Sequence, residues 1–215
     1  MIIKNYEELK DFFENNYDKN QEDFINAHES GRYKIFDSER LILKFDDDGN
    51  YTSYPNEKLR KSKFKIRKKH CNLDIPEHRH EYIEIIYILE GEMYMEIDGK
   101  IILMKKNDIC IMDKNVKHSN RALSENDLVI NILLTSRVFD SVFMHLLSDD
   151  NYISNFIINS FYSDNKIKKY MIHKIEKNSF LESILINLIC EYYSDSIRCE
   201  SKINGCLLLL FTELS

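Results

Sequence analysis

The spacing of apolar positions changes twice along the chain. Between residues 5 and 16, Tyr6, Leu9, Phe12 and Phe13 recur at three- and four-residue steps, which predicts one face of a helix. Asn5 with Glu8 three places later is a helix start: the Asn side chain accepts a backbone N–H and the Glu reaches back. The polar stretch 18–29 reads as a second short helix or an arm. From about residue 33 to 134 the pattern is mostly that of strands. Phe64 and Ile66 alternate with Lys63, Lys65 and Arg67, and Met93, Met95 and Ile97 alternate with Glu92, Tyr94 and Glu96. Asp98-Gly99 predicts a two-residue type I′ turn into a strand over 101–104. Further short strands are predicted at 109–112, 117–123 and 128–134. Short strands parted by Lys-, Asn-, Asp- and Ser-rich turns predict an antiparallel sandwich or barrel.

After Thr135 the period becomes helical. Val138, Phe139, Val142, Phe143, Leu146 and Leu147 form one stripe. Ser179 and Glu182 make a capping box ahead of Leu181, Ile184, Leu185, Leu188, Ile189 and Tyr192. Ile203, Cys206, Leu207, Leu210, Phe211 and Leu214 repeat the pattern. The consecutive Leu207, Leu208, Leu209 and Leu210 make this last helix apolar on more than one face, so with Ile203 they are the candidates for a homodimer interface. The chain thus divides into an N-terminal helix and arm (1–32), a barrel (33–135) and a helical, dimerising segment (136–215), a mainly β plus α fold.

Composition narrows the function classes. With 43% hydrophobic residues the chain can bury a proper core, and a net charge of −6 argues against this stretch gripping a nucleic-acid backbone by itself. Cys71, Cys110, Cys190, Cys199 and Cys206 form no CxxC pair and sit in apolar runs, as reduced thiols of a cytoplasmic protein do. No apolar run is long enough to span a bilayer, and the N-terminus lacks the apolar stretch of a secretion signal, so no membrane partner is expected. The basic run at 58–70 alternates with Phe64 and Ile66 and reads as the solvated outer face of a strand. His28, His70, His145 and His173 have no partner spacing and read as surface or helix-packing residues.

The chemistry concentrates in the segment PEHRHEYIEIIYILEGE. On an extended strand, His78, His80 and Glu84 share parity and point to one face, and His118 on a later strand can face them across a barrel. Imidazoles with a carboxylate suit a divalent transition metal. The same four side chains can instead hydrogen-bond among themselves or line an effector pocket without metal. Met93, Met95, Met104 and Met112 offer a deformable apolar lining for a small-molecule effector, or ordinary core.

HRHEYIEIIYILEG resembles the first cupin motif, HxHxxxExxxxxxG, through His78, His80, Glu84 and Gly91. The second motif is kept in part: His118 is in place, but Asn107, Asp113 and Asn115 stand where Gly, Pro and Gly are usual, and Asn72 replaces an opening glycine. Asn and Asp serve such turns well. Residues 64–134, with the Asn107-Asp108 turn and the helices that follow, resemble the N-terminal domain of AraC-type regulators. That resemblance implies a double-stranded β-helix that binds a small-molecule effector, dimerises through the later helices, and acts on DNA through a helix-turn-helix domain beyond residue 215. Effector-pocket candidates are His78, His80, Glu84, Met93, Met95 and His118; metal-ligand candidates are His78, His80, Glu84 and His118. No catalytic residue is expected in that reading. The alternative is a metal-dependent cupin enzyme, a dioxygenase or isomerase with a three-His, one-Glu site, and a storage or scaffold cupin is a third reading.

Overall fold

A computed structural model describes residues 2–16, 28–30, 33–36, 41–45, 47, 51–55, 57–69, 74–114, 116–121, 123–147, 152–162, 170–194 and 199–215. His70, Cys71, Asn72, Asn115 and most of the 18–29 stretch lie outside these residues.

The first helix, α1 (Tyr6–Asn16), starts as its sequence predicts. The Glu8 N–H donates to Asn5 Oδ1 (3.0 Å), and Glu8 accepts from the Lys4 N–H (2.9 Å). Four strands follow: β1 (His28–Ser30), β2 (Tyr33–Phe36), β3 (Leu41–Phe45) and β4 (Tyr51–Pro55). The basic run is not one strand. Its first half is helix α2 (Glu57–Ser62), which buries Leu59. Lys63 then takes a positive φ of 67° and turns the chain into β5 (Phe64–Lys68).

The remaining strands are β6 (Ile75–His80), β7 (Ile83–Glu90), β8 (Glu92–Ile97), β9 (Lys100–Lys105), β10 (Asp108–Met112), β11 (His118–Asn120) and β12 (Leu128–Leu134). The β8–β9 hairpin turns at Asp98 and Gly99, both at positive φ, as a type I′ turn demands. Asn107, standing where a glycine is usual, also takes positive φ (69°). Asn tolerates that region because its short amide bonds locally, so the turn survives without glycine.

The strands form two sheets. One runs β1-β2-β3-β4-β6-β11-β8-β9; the other runs β13-β10-β7-β12-β5, where β13 (Tyr170–Lys174) comes from the segment expected to be helical. Among the described pairs only β4–β6 is parallel. β13 escapes sequence reading because it is five residues long and alternates weakly, with one buried position, Met171. The other described elements of that segment are a 3-10 turn at Ser136–Val138 and the helices α3 (Ser141–Leu146), α4 (Tyr152–Tyr162), α5 (Phe180–Tyr193) and α6 (Cys199–Glu213). Ser179 caps α5 by accepting from the Glu182 N–H (3.2 Å).

The five-stranded sheet is buried on both faces, which explains why β7 and β12 read as nearly unbroken apolar runs. On one face Ile83, Ile85, Tyr87 and Leu89 pack with Ile130, Ile132 and the buried sides of α1, α4, α5 and α6. On the other, Ile86, Ile88, Cys110, Met112 and Val129 meet Met93, Met95 and Ile97 of the facing sheet. Those methionines are core lining of the barrel interior, as one of the two sequence readings has it. In α6, Ile203, Leu207 and Leu210 are fully buried in the chain's own core, so they cannot form the expected interface between protomers. Leu208 is partly buried and Leu209 is 44% exposed.

Candidate functional site

The four motif residues do converge in the barrel interior, but by a different route from simple strand parity. β6 ends at His80, the chain bends at Glu81 and Tyr82, and Glu84 lies on β7 in the opposite sheet. His78 and His80 share a face of β6, and His118 sits beside them, paired directly with His78. Glu84 therefore faces the histidines from the other wall.

Each histidine is fixed by its own backbone. Nδ1 of His78 donates to the Pro76 carbonyl (2.9 Å), that of His80 to the Tyr82 carbonyl (2.8 Å), and that of His118 to the Val116 carbonyl (3.2 Å). A proton held at Nδ1 leaves the Nε2 lone pair free, the tautomer a metal requires. Nε2 of His80 and of His118 lie 3.3 and 3.4 Å from the same atom, Glu84 Oε2. The other oxygen, Oε1, accepts from Asn131 Nδ2 (2.7 Å), which holds the carboxylate in orientation. His80 stacks on Tyr82 (4.6 Å between centroids), and Tyr82 meets Ser53 Oγ at 3.0 Å.

His80, Glu84 and His118 offer ligand atoms within 4.8 Å of one another. His78 stands just outside that set. Its ring lies 4.1 Å from that of His118, centroid to centroid, and stacks on Tyr51. The expected four-ligand site is therefore a three-residue cluster with His78 beside it.

The electrostatics agree with a cation site. Burial, then His118, holds His78 well below the usual histidine range, and burial lowers His118 as well, so both rings are neutral at pH 7. Burial pushes the Glu84 carboxyl up, yet the His118 and His80 rings and Lys69 outweigh it and keep it ionised. Nε2 of His80, Nε2 of His118 and Oε2 of Glu84 are buried, converge on one point and have no hydrogen-bond partner within geometric limits. Lone pairs so close repel unless a proton or a cation lies among them, and two imidazoles with one carboxylate suit a divalent first-row metal. The residues present fit such an ion.

Three interior residues escape sequence reading. Lys69 follows β5, its N–H donating to the Val129 carbonyl (2.7 Å), and its side chain is 91% buried rather than solvated with the rest of the basic run. Burial lowers its amine to about 8, partly offset by Glu84. Asn120 and Asn131 are 4% and 1% exposed. The only signal for Lys69 is parity: it shares the face of Lys65 and Arg67, opposite Phe64 and Ile66.

Sequence comparison now bears on this geometry. A cupin domain model matches residues 72–135, the stretch that carries all four motif side chains. Among curated proteins no sequence matches the chain. Among solved structures, apo ToxT K231A from Vibrio cholerae strain SCE256 is similar over 70% of this chain and 54% of its own, with 15% identity and a TM-score of 0.51. This chain therefore spans about half the length of ToxT. Wild-type ToxT from the same strain with unsaturated fatty acid bound scores 0.44 at 14% identity, covering 70% of this chain and 53% of that one. KdgF from Halomonas sp. covers 32% of this chain and 65% of its own length, with 23% identity and a TM-score of 0.29. The first of these likenesses shows a shared fold, and its 70% share exceeds what the cupin stretch alone supplies. Among the described residues no helix is long and apolar enough to cross a membrane.

Proposed function

We propose that this chain is the effector-sensing and dimerisation part of a cytoplasmic, AraC-like transcription regulator whose DNA-binding helix-turn-helix domain lies outside these 215 residues. The observation that carries the reading is the two-faced sheet. Along β7, Glu84, Ile86 and Ile88 face the barrel interior while Ile83, Ile85, Tyr87 and Leu89 pack under α1, α4, α5 and α6. A ligand seated in the interior is thus one residue away from the helical layer. If it favours one packing of that layer over another, it shifts the population of the whole regulator. The fold likeness to ToxT, which extends past the barrel, supports the same reading.

His80, Glu84 and His118 would hold a divalent transition metal, with His78 as a neighbour. Such an ion, when bound, supplies a Lewis-acidic centre with open positions. That cluster is also the observation favouring a second reading, a metal-dependent cupin dioxygenase or isomerase. The helical layer favours the sensor, because the barrel interior alone suffices for a small cupin enzyme.

The test is selection of DNA from a random pool by the full-length gene product, alongside metal analysis of untagged protein. Recovery of one consensus sequence is the expected result. Full-length protein that selects no DNA, yet carries stoichiometric metal and turns over a small substrate, replaces the sensor with the enzyme.

A further inference from the structure

The cluster of His80, Glu84 and His118 is shut off from solvent, at 0%, 2% and 1% exposure. A site that exchanges its occupant needs an entry path, so some element around it must move. Glu84 lies on β7, and the five-stranded sheet runs two strands further on either side. To one side Leu133 and then Lys65 of β5 stand level with Glu84; to the other, Met112 and then Tyr170 of β13. Each edge is therefore roughly 10 Å from Glu84, two steps at the spacing of paired strands.

The two edges are not held alike. β5 buries Phe64 and Ile66, and the Tyr193 hydroxyl donates to the Ile66 carbonyl (3.3 Å). β13 buries Met171 alone, leaves Ile172 38% exposed, and among the described strands bonds only to β10. Nε2 of His173 is buried there without a hydrogen-bond partner, a cost relieved when the strand moves out into water. On the interior side, Tyr170 packs on the cluster around Met93 and Met95, and Ile172 pairs with Cys110, which is fully buried in that cluster. Displacing β13 uncovers Cys110 and opens the side of the barrel level with Glu84.

One residue fastens this edge. The Asn107 N–H donates to the Ile88 carbonyl of β7 (2.9 Å), and its own carbonyl accepts from the N–H of Ile175, the residue after β13 (2.9 Å). Its side chain reaches further: Oδ1 accepts from the Tyr87 hydroxyl (3.2 Å), and Nδ2 donates to Glu182 Oε1 of α5 (3.0 Å). Glu182 Oε2 in turn accepts from the Asn178 N–H (2.5 Å), so the loop between β13 and α5 is tied to the barrel through one amide. The turn does not require that side chain, because glycine adopts a φ of 69° without strain. The amide serves residues 20 and 75 positions away.

We propose that β13 is a gate in the side of the barrel, opening together with the loop into α5, and that the Asn107 amide is the catch that holds it shut. The proposal deepens the sensing reading and rests on it: the gate lets the buried cluster exchange with solvent and links the seating of α5 to that exchange. Few buried contacts and an unsatisfied polar atom make this edge the low-stability one, as a moving element must be.

Cys110 reports on the gate without metal, effector or DNA. The whole chain is treated with methyl methanethiosulfonate in native buffer and in low urea, and modification of Cys110 is followed by peptide mass mapping. Hydrogen exchange of the β7 amides gives the rate of global unfolding. Modification is expected to run well ahead of that rate and to change little with low urea, because only a small surface opens. Asn107→Gly, which keeps the turn and removes the catch, is expected to speed it about tenfold or more, the effect of losing a hydrogen bond to a carboxylate. Glu182→Ala breaks the same bond from the other side and is expected to act in the same direction, with the double variant adding little. Cys110 that reacts only as fast as global unfolding allows overturns the gate, and a fast rate unchanged in both variants overturns the catch. Selection of DNA by the full-length gene product is a separate readout: a regulator that selects its sequence while Cys110 stays shut loses this gate, not its sensing role.

Discussion

Gly91 ends β7 at a φ of +78°, in the region that side chains other than glycine rarely adopt. A Cβ there would lie 1.9 Å from Asp127 Oδ1 and 3.1 Å from Asp127 Cα, so Asp127 would have to move. That carboxylate accepts from the Glu92 N–H (3.0 Å) through one oxygen and from the Ser124 N–H (2.8 Å) through the other, tying the β7–β8 turn to the loop before β12. Gly91→Ala therefore has two costs. The left-handed backbone contributes about 1–2 kcal/mol. Two exposed hydrogen bonds, whose N–H groups regain water when broken, contribute about 0.5–1 kcal/mol each. The expected loss is about 2–4 kcal/mol of unfolding free energy, read as a drop in the urea midpoint at constant slope. Asp127→Ala alone should lose only the hydrogen bonds, and Gly91→Ala in that background should lose only the backbone part. A loss below about 1 kcal/mol, or one equal in both backgrounds, would refute the reasoning, because the clash with Asp127 is what joins the two residues.

Three further expectations follow from the same structure. Asn131→Leu removes the donor that orients Glu84, and zinc affinity by calorimetry should fall about 10- to 100-fold; unchanged affinity would mean that the carboxylate needs no such partner. Stability should decline with acidity in two steps. Below about pH 6.5 the unfolded chain protonates His78 and His118 while the folded chain, with both lowered, does not; below about pH 4.5 the unfolded chain protonates Glu84 first for the same reason. A urea midpoint that rises between pH 7.5 and pH 5 contradicts the histidine step, and one that rises between pH 5 and pH 3 contradicts the Glu84 step. For self-association, Leu209 is the exposed leucine of α6, so Leu209→Glu should convert a dimer at tens of micromolar into a monomer in sedimentation, whereas a wild-type monomer at that concentration rules the interface out.

What could be read from the sequence depended on how local the signal is. The caps at Asn5 and Ser179 and the Asp98-Gly99 turn involve residues within three or four positions, and all appear as predicted. Strand order and sheet membership depend on distant segments, and there the local pattern was partial: β13 joins the sheet at β10, far from it in sequence, on the strength of one buried residue. The motif residues were correctly placed together, although the parity argument covered only His78 and His80. The bend at Glu81 and Tyr82 carries Glu84 to the opposite wall, and an even spacing survives the bend by coincidence. The leucine run misled for a related reason. Four consecutive leucines put apolar groups around α6, but α1, α4 and α5 surround enough of that helix to bury Leu207 and Leu210 without a partner chain.

Lys69 shows the limit most clearly, and also why it matters. A basic run suggests a solvated face because charge is costly to bury, and for Lys58 to Lys68 that rule has no fully buried exception among the described side chains. The chain departs from it at Lys69, just past the last regular residue of β5, where the backbone N–H donates to the Val129 carbonyl and the residue is buried. Burying that charge works against stability, so its presence is hard to explain by folding alone. The same is true of the convergent lone pairs of His80, Glu84 and His118 and of the open amide of Asn120. These groups face one another across the barrel interior, Glu84 from a sheet whose other side is the main core and His80, His118 and Asn120 from the facing sheet. Groups that lower stability, gathered in one enclosed place and backed by the best-packed part of the molecule, are the mark of a binding site kept for its ligands. It follows that filling the interior should raise the melting temperature by more than the contacts of an exposed ligand would, because binding there also removes costs the unliganded fold already carries.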